Sequence, residues 1–339
     1  GCVGRIGQIL AAGERSGHNR MMDIDRSAFG PDTTTDEVVD GLDLSDLSVL
    51  ITGASGGLGA ETARALASKG ASVVITARDL TKASAAVDAI KASTGNDDIE
   101  IEQLELGSLA SIRGFGERWV DGHDTLDILI NNAGVMACPQ GTTDDGFERQ
   151  FGTNHLGHFL LTGLVAPTLV ANGSGRIVNL SSRGHQRDDV HLDDVNFEHR
   201  DYDKWAAYGQ AKTANVLHAV ELDRRLRDRN VRAFAVHPGT IMTDLSRHMQ
   251  QQDFEALQSR RPAGSMGLKS VAAGAATTVY AATAPELDGM GGIYLEDCGI
   301  APIDDDSQVS GVRSYAVDPE RARQLWTLSE GLTGQTFDL

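Results

Sequence analysis

Tyr208 and Lys212 are the residues whose types and spacing point most directly to chemistry. They stand four positions apart in a stretch that we predict to be helical, so their side chains share one helix face. A lysine ammonium close to a phenol stabilises the phenolate and lowers the tyrosine pKa from its usual value of about 10. The pair therefore predicts a general acid or base that works near neutral pH. The competing interpretation is a surface tyrosine beside a lysine that forms an ordinary salt bridge.

A glycine-rich turn over residues 52–59, Thr-Gly-Ala-Ser-Gly-Gly-Leu-Gly, is the second candidate site. It follows an apolar run typical of a buried strand and precedes a helix with one apolar face. Its glycines let the chain turn sharply and bring bare backbone close to a ligand. The N-terminus of the next helix presents unpaired N–H groups that attract a phosphate. The turn thus predicts a dinucleotide site, although its spacing differs from G-x-G-x-x-G.

The same turn also fits a different chemistry. Gly53-Ala54-Ser55-Gly56-Gly57 matches G-x-S-x-G, in which Ser55 would be the nucleophile of a serine hydrolase. An acid and then a histidine would have to follow in the chain, and Asp193 and His237 are candidates. This hypothesis places the nucleophile after the first strand, earlier than is usual in that fold. It also leaves the Tyr-x-x-x-Lys pair without a purpose.

The chain has 339 residues, of which 40% are hydrophobic, and its formal net charge is −18. This composition is that of a folded protein, and the acidic excess argues against binding to nucleic acid or to an anionic membrane. The longest apolar run, residues 159–170, is too short to cross a bilayer. The three cysteines, Cys2, Cys138 and Cys298, are far apart, which argues against a disulfide framework or a thiolate metal site. We therefore expect a cytoplasmic protein without a metal ion.

Strands and helices alternate from residue 48 onward, which predicts parallel strands joined by right-handed crossovers. The expected strands are 49–52, 72–77, 99–106, 126–131, 176–180, 231–237 and 292–295. Besides the helix after the glycine turn, the expected helices are 80–93, 109–119, 144–170, 205–227, 268–282 and 318–328. The predicted fold class is therefore α/β, a single doubly wound Rossmann domain with a parallel sheet of about seven strands.

The chain divides into four expected parts. Residues 1–22 are glycine-rich and polar, which is typical of a disordered leader. Residues 23–47 form an N-terminal extension in which 33–39 are expected to cap a short helix. Residues 48–296 are the dinucleotide-binding domain with the active site, and 297–339 are a C-terminal extension packed on that domain.

Two further polar residues follow predicted strands, at the sheet edge where ligands bind in this fold class. Arg78 comes directly after the second strand, where an acidic residue would bond a ribose 2′-hydroxyl and an arginine suits a 2′-phosphate. The cofactor is therefore predicted to be NADP rather than NAD, although Asp79 comes next. Ser182 follows the fifth strand, where a lone serine is more often a helix cap or a turn residue.

These signals and three others occur in a fixed order along the chain. They are Thr-Gly-x-x-x-Gly-x-Gly at 52–59, Asn-Asn-Ala-Gly at 131–134, Asn154, Ser182, Tyr-x-x-x-Lys at 208–212 and Pro-Gly at 238–239. In this combination the chain resembles the short-chain dehydrogenase/reductase family over residues 44–294. The stretches 147–161, 177–182 and 207–215 resemble its retinol-dehydrogenase-like branch. Membrane-bound members of that branch carry an N-terminal hydrophobic anchor, and no such stretch is visible here, so we expect a soluble, bacterial-type relative.

The resemblance implies an NADP(H)-dependent oxidoreductase that interconverts a small-molecule carbonyl and an alcohol by hydride transfer. Tyr208 would exchange a proton with the substrate oxygen, and Ser182 would hydrogen-bond that oxygen. Lys212 would lower the phenol pKa and bind the nicotinamide ribose, and Asn154 would hold a water that links Lys212 to solvent. The alternative on the same fold is a non-catalytic NADP-binding sensor, whose signature would be the loss of Tyr208 or Lys212.

The resemblance also implies the cofactor contacts. Gly53, Leu58 and Gly59 would approach the pyrophosphate, and Thr243 would close over the nicotinamide end. Where the family often has Asp-Leu after the third strand, this chain has Glu105-Leu106. The full expected set is Gly53, Ser55, Gly57, Leu58, Gly59, Arg78, Glu105, Leu106, Asn131, Ala133, Gly134, Tyr208, Lys212, Pro238, Gly239 and Thr243.

Between Ser182 and Tyr208 lie 25 residues, more than is common in the wider family, and the retinol-dehydrogenase-like branch also carries extra residues here. We expect this insert, residues 187–197, to loop out beside the active site and to shape substrate access. Its acidic residues argue against a strongly anionic substrate. The resemblance further implies a homodimer or homotetramer, because relatives pair through the helices that carry Asn154 and Tyr208.

Overall fold

The computed structural model describes residues 29–253, 255 and 267–339, so the expected leader at 1–22 lies outside the described residues. The strands are β1 Ser48–Thr52, β2 Ser72–Ala77, β3 Ile99–Gln103, β4 Ile128–Asn131, β5 Gly175–Leu180, β6 Val231–His237, β7 Ile293–Glu296 and β8 Gly299–Ile300. They form a single sheet in the order β3-β2-β1-β4-β5-β6-β7-β8. Strands β1 to β7 pair in parallel, and β8 is antiparallel to β7.

The α-helices of more than four residues that the described residues form are α1 Thr35–Val39, α2 Gly57–Ala67, α3 Leu80–Thr94, α4 Leu109–Gly122, α5 Gly157–Ala171, α6 Lys204–Leu226, α7 Val271–Thr283 and α8 Pro319–Thr333. A single helical turn, Arg149–Phe151, and a π-helical turn, Gly152–Leu156, lead into α5. The long helix expected over 144–170 is therefore interrupted. In the described part of the chain, no helix is both long and apolar enough to cross a membrane.

Successive strand residues point to opposite faces of the sheet, and helices cover both faces. Val49 and Ile51 of β1 pack in one core with residues of α1, α2, α3 and α7. Leu50, between them, packs in a second core with residues of α4, α5, α6 and α8. Because both faces of β1 are covered, its sequence is a continuous apolar run rather than an alternating one. This arrangement confirms the predicted doubly wound α/β class.

Aspartate side chains cap the first turns of α3 and α6. The carboxylate of Asp79 accepts hydrogen bonds from the backbone N–H groups at the start of α3, and Asp203 does the same at the start of α6. Each of these bonds satisfies a donor that the first helical turn leaves unpaired. The cap at Asp203 fixes where α6 begins and so sets the position of Tyr208 one turn later.

The strand order reverses between β1 and β4, which are neighbours in the sheet but not in the chain. On one side of this point the chain proceeds to β2 and β3, and on the other to β5, β6 and β7. The connections after β1 and β4 diverge here and leave a crevice at the carboxyl ends of the strands, where ligands bind in open α/β sheets.

The C-terminal helix α8 packs on α6 and on α5. Trp326 is 2% exposed, and its ring meets that of Phe159 edge to face at a centroid distance of 4.9 Å. The guanidinium of Arg225 lies 4.2 Å from the centre of the same indole. After α8, the ring of Phe337 lies against Gly163 of α5, where a larger side chain would clash with it. The outer faces of α5 and α6 are thus covered by the end of the chain.

The packing of α8 predicts the effect of Trp326→Ala on stability. Loss of a buried indole should lower the free energy of unfolding by about 3–5 kcal/mol, because the removed contacts leave a cavity. Urea unfolding followed by circular dichroism measures this change. Trp326→Phe is the matched control and should lose much less, since it keeps a ring against Phe159. A loss below about 1 kcal/mol for Trp326→Ala would contradict the packing role.

Candidate active site

The glycine turn between β1 and α2 requires glycine at two positions. Gly53 has φ +67°, and a β-carbon there would lie 2.7 Å from the β-carbon of Ala133. Gly57 has φ +58°, in the left-handed region that other residues rarely adopt. The turn can therefore keep this shape only with the glycines that the sequence carries, and it presents bare backbone at the start of α2.

Thr52, the last residue of β1, connects the glycine turn to the loop after β4. Its hydroxyl accepts hydrogen bonds from the backbone N–H groups of Asn132 (2.9 Å) and Ala133 (3.0 Å). The side-chain amide of Asn132 donates back to the carbonyl of Thr52 at 2.8 Å. These bonds fix the two neighbouring strand ends together and form the floor of the crevice.

One cleft of about 970 Å³ opens above this floor. It brings together all but one of the sixteen residues expected to hold the cofactor, together with Ser182. These are Gly53, Ser55, Gly57, Leu58, Gly59, Arg78, Glu105, Leu106, Ala133, Gly134, Ser182, Tyr208, Lys212, Pro238, Gly239 and Thr243.

Asn131 is the exception: we expected it to line the cleft, and its side chain does not. Its side chain is 1% exposed and points into the protein interior. The amide nitrogen donates to Thr162 Oγ1 at 2.9 Å and to Asn179 Oδ1 at 2.8 Å. Asn131 therefore joins β4 to α5 and β5, while the next residue, Asn132, lines the cleft.

Ser182, Tyr208 and Lys212 meet at one end of the cleft. The Ser182 hydroxyl hydrogen-bonds with the phenol of Tyr208 and accepts a hydrogen bond from the backbone N–H of Gly184 at 2.9 Å. The ammonium of Lys212 lies 5.7 Å from the centre of the Tyr208 ring and donates to the carbonyl of Leu180 at 2.9 Å. The preceding Ser181 is buried and its hydroxyl donates to the Lys212 carbonyl, so it anchors α6 to β5.

The pKa of the Tyr208 phenol differs from the sequence expectation. Burial raises the pKa to about 12, and the hydrogen bond from Ser182 and the positive charge of Arg187 lower it by less. Lys212 is not among the groups that lower it, and its ammonium donates to the Leu180 carbonyl. Burial also lowers the pKa of Lys212 itself, to about 8. The phenol is thus protonated at neutral pH.

Asn154 lies behind the cleft rather than in its lining. It is fully buried in the π-helical turn, and its side-chain amide makes two hydrogen bonds to the backbone of Val135, at 2.8 and 2.9 Å. A β-carbon at Gly134 would approach Asn154 Oδ1 to 3.2 Å and Lys212 Nζ to 3.7 Å. Asn154 therefore holds the loop after β4 close to Lys212.

His158 completes this arrangement, and sequence reasoning assigned it no role. Its Nδ1–H donates to the carbonyl of Asn154 at 2.9 Å, so its Nε2 accepts a hydrogen bond from the Thr52 hydroxyl at 2.9 Å. Burial lowers the pKa of His158 to about 4, so the ring stays neutral. The buried imidazole connects the π-helical turn to the floor of the crevice. In the sequence, His158 stands four residues after Asn154, which is the spacing of one helical turn, and this spacing indicates the contact between them.

The segment after β6 crosses the cleft near the glycine turn. Thr243, expected over the nicotinamide end, lies beside Gly57, with Cγ2 3.4 Å from the position of a β-carbon on that glycine. The next residue, Asp244, forms an ion pair with Lys82 of α3 at 2.6 Å. Lys82, four residues after Arg78 in the chain, also lines the cleft. No sequence motif indicates this residue.

Arg78 lies at the end of the cleft remote from Tyr208. Its guanidinium is largely exposed and stands 3.5 Å from the carboxylate of Glu105. Asp79, the acidic residue that follows it, accepts hydrogen bonds from the backbone of Thr81 and Lys82. The carboxylate of Asp79 is thus engaged in capping α3.

We expected the insert, residues 187–197, to lie beside the active site, but most of it lies away from the cleft. Val190 and Val195 are buried in a cluster with residues of α6 and α8. Three of its four acidic side chains pair with arginines outside the cleft: Asp188 with Arg200 at 3.2 Å, Asp194 with Arg200 at 3.5 Å and Asp189 with Arg321 at 2.8 Å. Of residues 187–197, Arg187 alone lines the cleft. The insert therefore folds back on the helices and contributes a cation, not its acids, to the site.

The hydrolase hypothesis finds no support in this geometry. Nδ1 of His237 accepts hydrogen bonds from the backbone N–H groups of Arg183 and Gly239. Among the described residues, Ser55 makes no hydrogen bond with a histidine. Nor do the described side chains include a group of three histidines, cysteines or acids that could hold a metal ion.

A family model described as short chain dehydrogenase matches residues 48–253. The chain is 41% identical over 292 residues to short-chain dehydrogenase/reductase prx1 of Penicillium rubens, covering 84% of each chain. It is 40% identical over 289 residues to retinol dehydrogenase 13 of Homo sapiens, covering 85% of this chain and 84% of that one. Among solved structures, an uncharacterized protein of Mycobacterium paratuberculosis is 37% identical with a TM-score of 0.69, covering 89% of this chain and 98% of the other.

The buried lysine predicts an unusual effect of substitution on stability. Because burial lowers the pKa of Lys212 from 10.5 to about 8, folding carries the full cost of burying an ammonium at any pH below 8. Between pH 8 and 10.5 the unfolded chain binds this proton more tightly, so the cost falls as pH rises. Lys212→Met should therefore raise the free energy of unfolding at pH 7. The Leu180 carbonyl stays satisfied, since Asn215 also donates to it at 2.9 Å.

Urea unfolding at pH 7 and pH 9.5 tests this, with a smaller gain expected at the higher pH. Lys91→Met, at a half-exposed lysine of α3, is the control and should show no such pH dependence. The prediction would be contradicted if the Lys212→Met protein were less stable than the wild type at pH 7, because the buried ammonium would then stabilise the folded state.

Proposed function

The chain belongs to the short-chain dehydrogenase/reductase family, and we propose that it is an NADP(H)-dependent oxidoreductase that interconverts a carbonyl and an alcohol. One observation carries the proposal: a proton donor, Tyr208, with Ser182 and Lys212, occupies one end of the cleft whose other end is the glycine turn. The name of the human relative, a retinol dehydrogenase, agrees with an alcohol as the class of substrate.

The residues of the cleft fit a dinucleotide. Bare backbone at Gly53 and Gly57 and the N-terminus of α2 suit the pyrophosphate. Gly134 leaves space beside Lys212, where a β-carbon would approach the ammonium to 3.7 Å. A bound nicotinamide would supply or accept the hydride, and the protein would supply orientation and the proton.

The catalytic end has the groups that a carbonyl reduction needs from the protein. Tyr208, protonated at neutral pH, would donate its proton to the carbonyl oxygen. Ser182, which hydrogen-bonds with the phenol, would donate a hydrogen bond to the substrate oxygen. Lys212, whose ammonium lies 5.7 Å from the centre of the phenol ring, would hold the nicotinamide ribose.

Two cations at the far end support NADP over NAD. Arg78 and Lys82 both line that end of the cleft, and a 2′-phosphate is bound best by such cations. Asp79, which could otherwise bond a ribose hydroxyl, is engaged as the cap of α3. Glu105 stands 3.5 Å from Arg78 and would have to give way to a phosphate.

Arg78→Ala is expected to raise the KM for NADPH about tenfold or more and to change the KM for NADH little, because only NADPH carries the 2′-phosphate. Steady-state rates with the two cofactors and one saturating aldehyde measure both constants. Equal losses for NADPH and NADH would refute the assignment of the 2′-phosphate to Arg78.

The proposed reaction itself is tested by NADPH oxidation with a panel of aldehydes and ketones, comparing wild type with Tyr208→Phe. Removal of the proton donor should lower kcat by about 10²–10⁴-fold and leave the Kd for NADPH within a few-fold. Tyr280→Phe, a tyrosine of α7 on the other face of the sheet, is the matched control and should keep wild-type rates. Wild-type turnover by Tyr208→Phe would remove the phenol as the acid. NADPH binding without turnover of any carbonyl would favour the sensor.

The family resemblance predicts that the chain forms a homodimer or homotetramer, and this stays a prediction. The outer faces of α5 and α6, through which relatives pair, are covered here by α8 and Phe337. We therefore propose that any assembly of this chain uses another surface.

A further inference from the structure

A short 3₁₀-helical turn, Arg183–Arg187, follows Ser182 directly and contributes to the lining of the catalytic end of the cleft. Ser182 caps this turn, since its hydroxyl accepts a hydrogen bond from the backbone N–H of Gly184 at 2.9 Å. A β-carbon at Gly184 would lie 2.7 Å from Cε1 of Tyr208, so the backbone of the turn lies against the phenol ring. The position of the turn therefore decides where the Ser182 hydroxyl stands relative to the phenol.

His185, in the middle of this turn, bonds to Ser182 through its imidazole. Its Nδ1 lies 2.7 Å from the carbonyl oxygen of Ser182, and its backbone N–H donates to the same oxygen at 3.0 Å. The side chain is fully buried. Because a carbonyl oxygen can only accept a hydrogen bond, Nδ1 carries the proton and donates it.

The other ring nitrogen of His185 contacts the C-terminal part of the chain. Nε2 accepts a hydrogen bond from the backbone N–H of Arg313 at 3.2 Å, 128 positions later in the sequence. One partner is an acceptor and the other a donor, so the two contacts are compatible with a single tautomer, the neutral one with its proton on Nδ1. Burial lowers the pKa of His185 to about 4, which keeps the ring in this neutral form at neutral pH.

The segment that contains Arg313, residues 309–315, lies along the turn and is fixed to it by further hydrogen bonds. These bonds run from Gln186 Nε2 to the carbonyls of Ser310 (3.1 Å) and Gly311 (3.0 Å), from the Arg183 guanidinium to the carbonyl of Val309 (3.2 Å) and from the Tyr315 hydroxyl to the carbonyl of His185 (2.7 Å). The segment is itself tied to β7, because the carboxylate of Glu296 accepts from the Gly311 N–H at 2.7 Å. It therefore gives the imidazole a fixed point outside the turn.

We propose that His185 is a positioning residue for the proposed reaction, which fixes Ser182 against the Tyr208 phenol by joining the Ser182 carbonyl to the backbone of Arg313. The proposal rests on the proposed function, because it concerns a group of that reaction. His185 acts through Ser182 and exchanges no proton with the substrate, since both of its ring nitrogens are engaged. The C-terminal extension is thus part of the scaffold of the active site.

Two substitutions at His185 test this role. His185→Phe keeps a buried ring and removes both side-chain hydrogen bonds, whereas His185→Asn keeps an N–H donor near the position of Nδ1. With NADPH and the carbonyl of the panel that the wild type reduces fastest, His185→Phe should lower kcat about tenfold or more, because a small displacement of Ser182 is costly. The Kd for NADPH should stay within a few-fold of the wild type, and His185→Asn should recover most of the rate.

His123→Phe is the matched control, at a histidine that stacks on Trp119 after the end of α4 and outside the cleft lining. It should keep the wild-type kcat. Circular dichroism at the assay temperature establishes that each variant is folded. A wild-type kcat for His185→Phe, or an equal loss in His185→Phe and His185→Asn, would overturn the proposal.

A double-mutant cycle with Ser182→Ala determines whether the effect passes through Ser182. Ser182→Ala removes the hydroxyl whose position His185 fixes, so His185→Phe should change kcat less than about twofold in that background. General damage to the fold would instead lower kcat by the same factor in both backgrounds. Losses that multiply in full would therefore refute positioning through Ser182.

Amide hydrogen exchange followed by NMR gives an answer that does not depend on turnover. His185→Phe should speed exchange at Gly184, whose N–H bonds to the Ser182 hydroxyl, and at Arg313, whereas His185→Asn should speed it at Arg313 alone. If the wild type reduces no carbonyl but this pattern is found, the proposed reaction fails and the positioning of Ser182 stands. If carbonyls are reduced but Gly184 exchanges equally in wild type and His185→Phe, the positioning role fails and the reaction stands.

Discussion

The burial of the Lys212 ammonium is the constraint on which the candidate site depends. A charge in the interior is costly, and its position is defined by the few polar groups that compensate it. Here the Leu180 carbonyl at the end of β5 accepts from the ammonium, and the Ser181 hydroxyl bonds to the backbone of Lys212 itself. The same contacts lock α6 against the sheet, so the phenol one turn earlier is fixed relative to the strand ends.

A second network ties the opposite wall of the cleft to this point. Thr52, His158 and Asn154 form a buried chain of hydrogen bonds from the end of β1 to the π-helical turn before α5. Asn154 then holds Val135, and Thr52 holds Asn132 and Ala133. Because every member of the chain has a partner, the network is rigid rather than costly. The turn that carries the extra residue of the π-helix is where α5 departs from regular geometry, as is frequent at functional sites.

The amino-acid sequence determined the parts of this protein that depend on local rules. The apolar run of β1 and the glycines at 53 and 57 are local signals, and the structure has the strand and the turn at these positions. The order of strands and helices then places the carboxyl ends of the strands at one edge. For this reason the sequence alone places the glycine turn, Ser182, Tyr208 and Lys212 at one edge of the sheet, and the structure has them in one cleft.

Only the tertiary structure decided which way individual side chains point and what they meet. Adjacent asparagines at the end of β4 have different surroundings, since Asn131 is buried against α5 and Asn132 faces the cleft. Asp189 of the insert pairs with Arg321, which is distant in the chain, and Arg187 is the residue of the insert that lines the cleft. The pKa of Tyr208 follows its burial more than its neighbour on the helix. Orientation, ion pairing and desolvation depend on contacts between residues far apart in the chain, and a linear pattern does not contain those contacts.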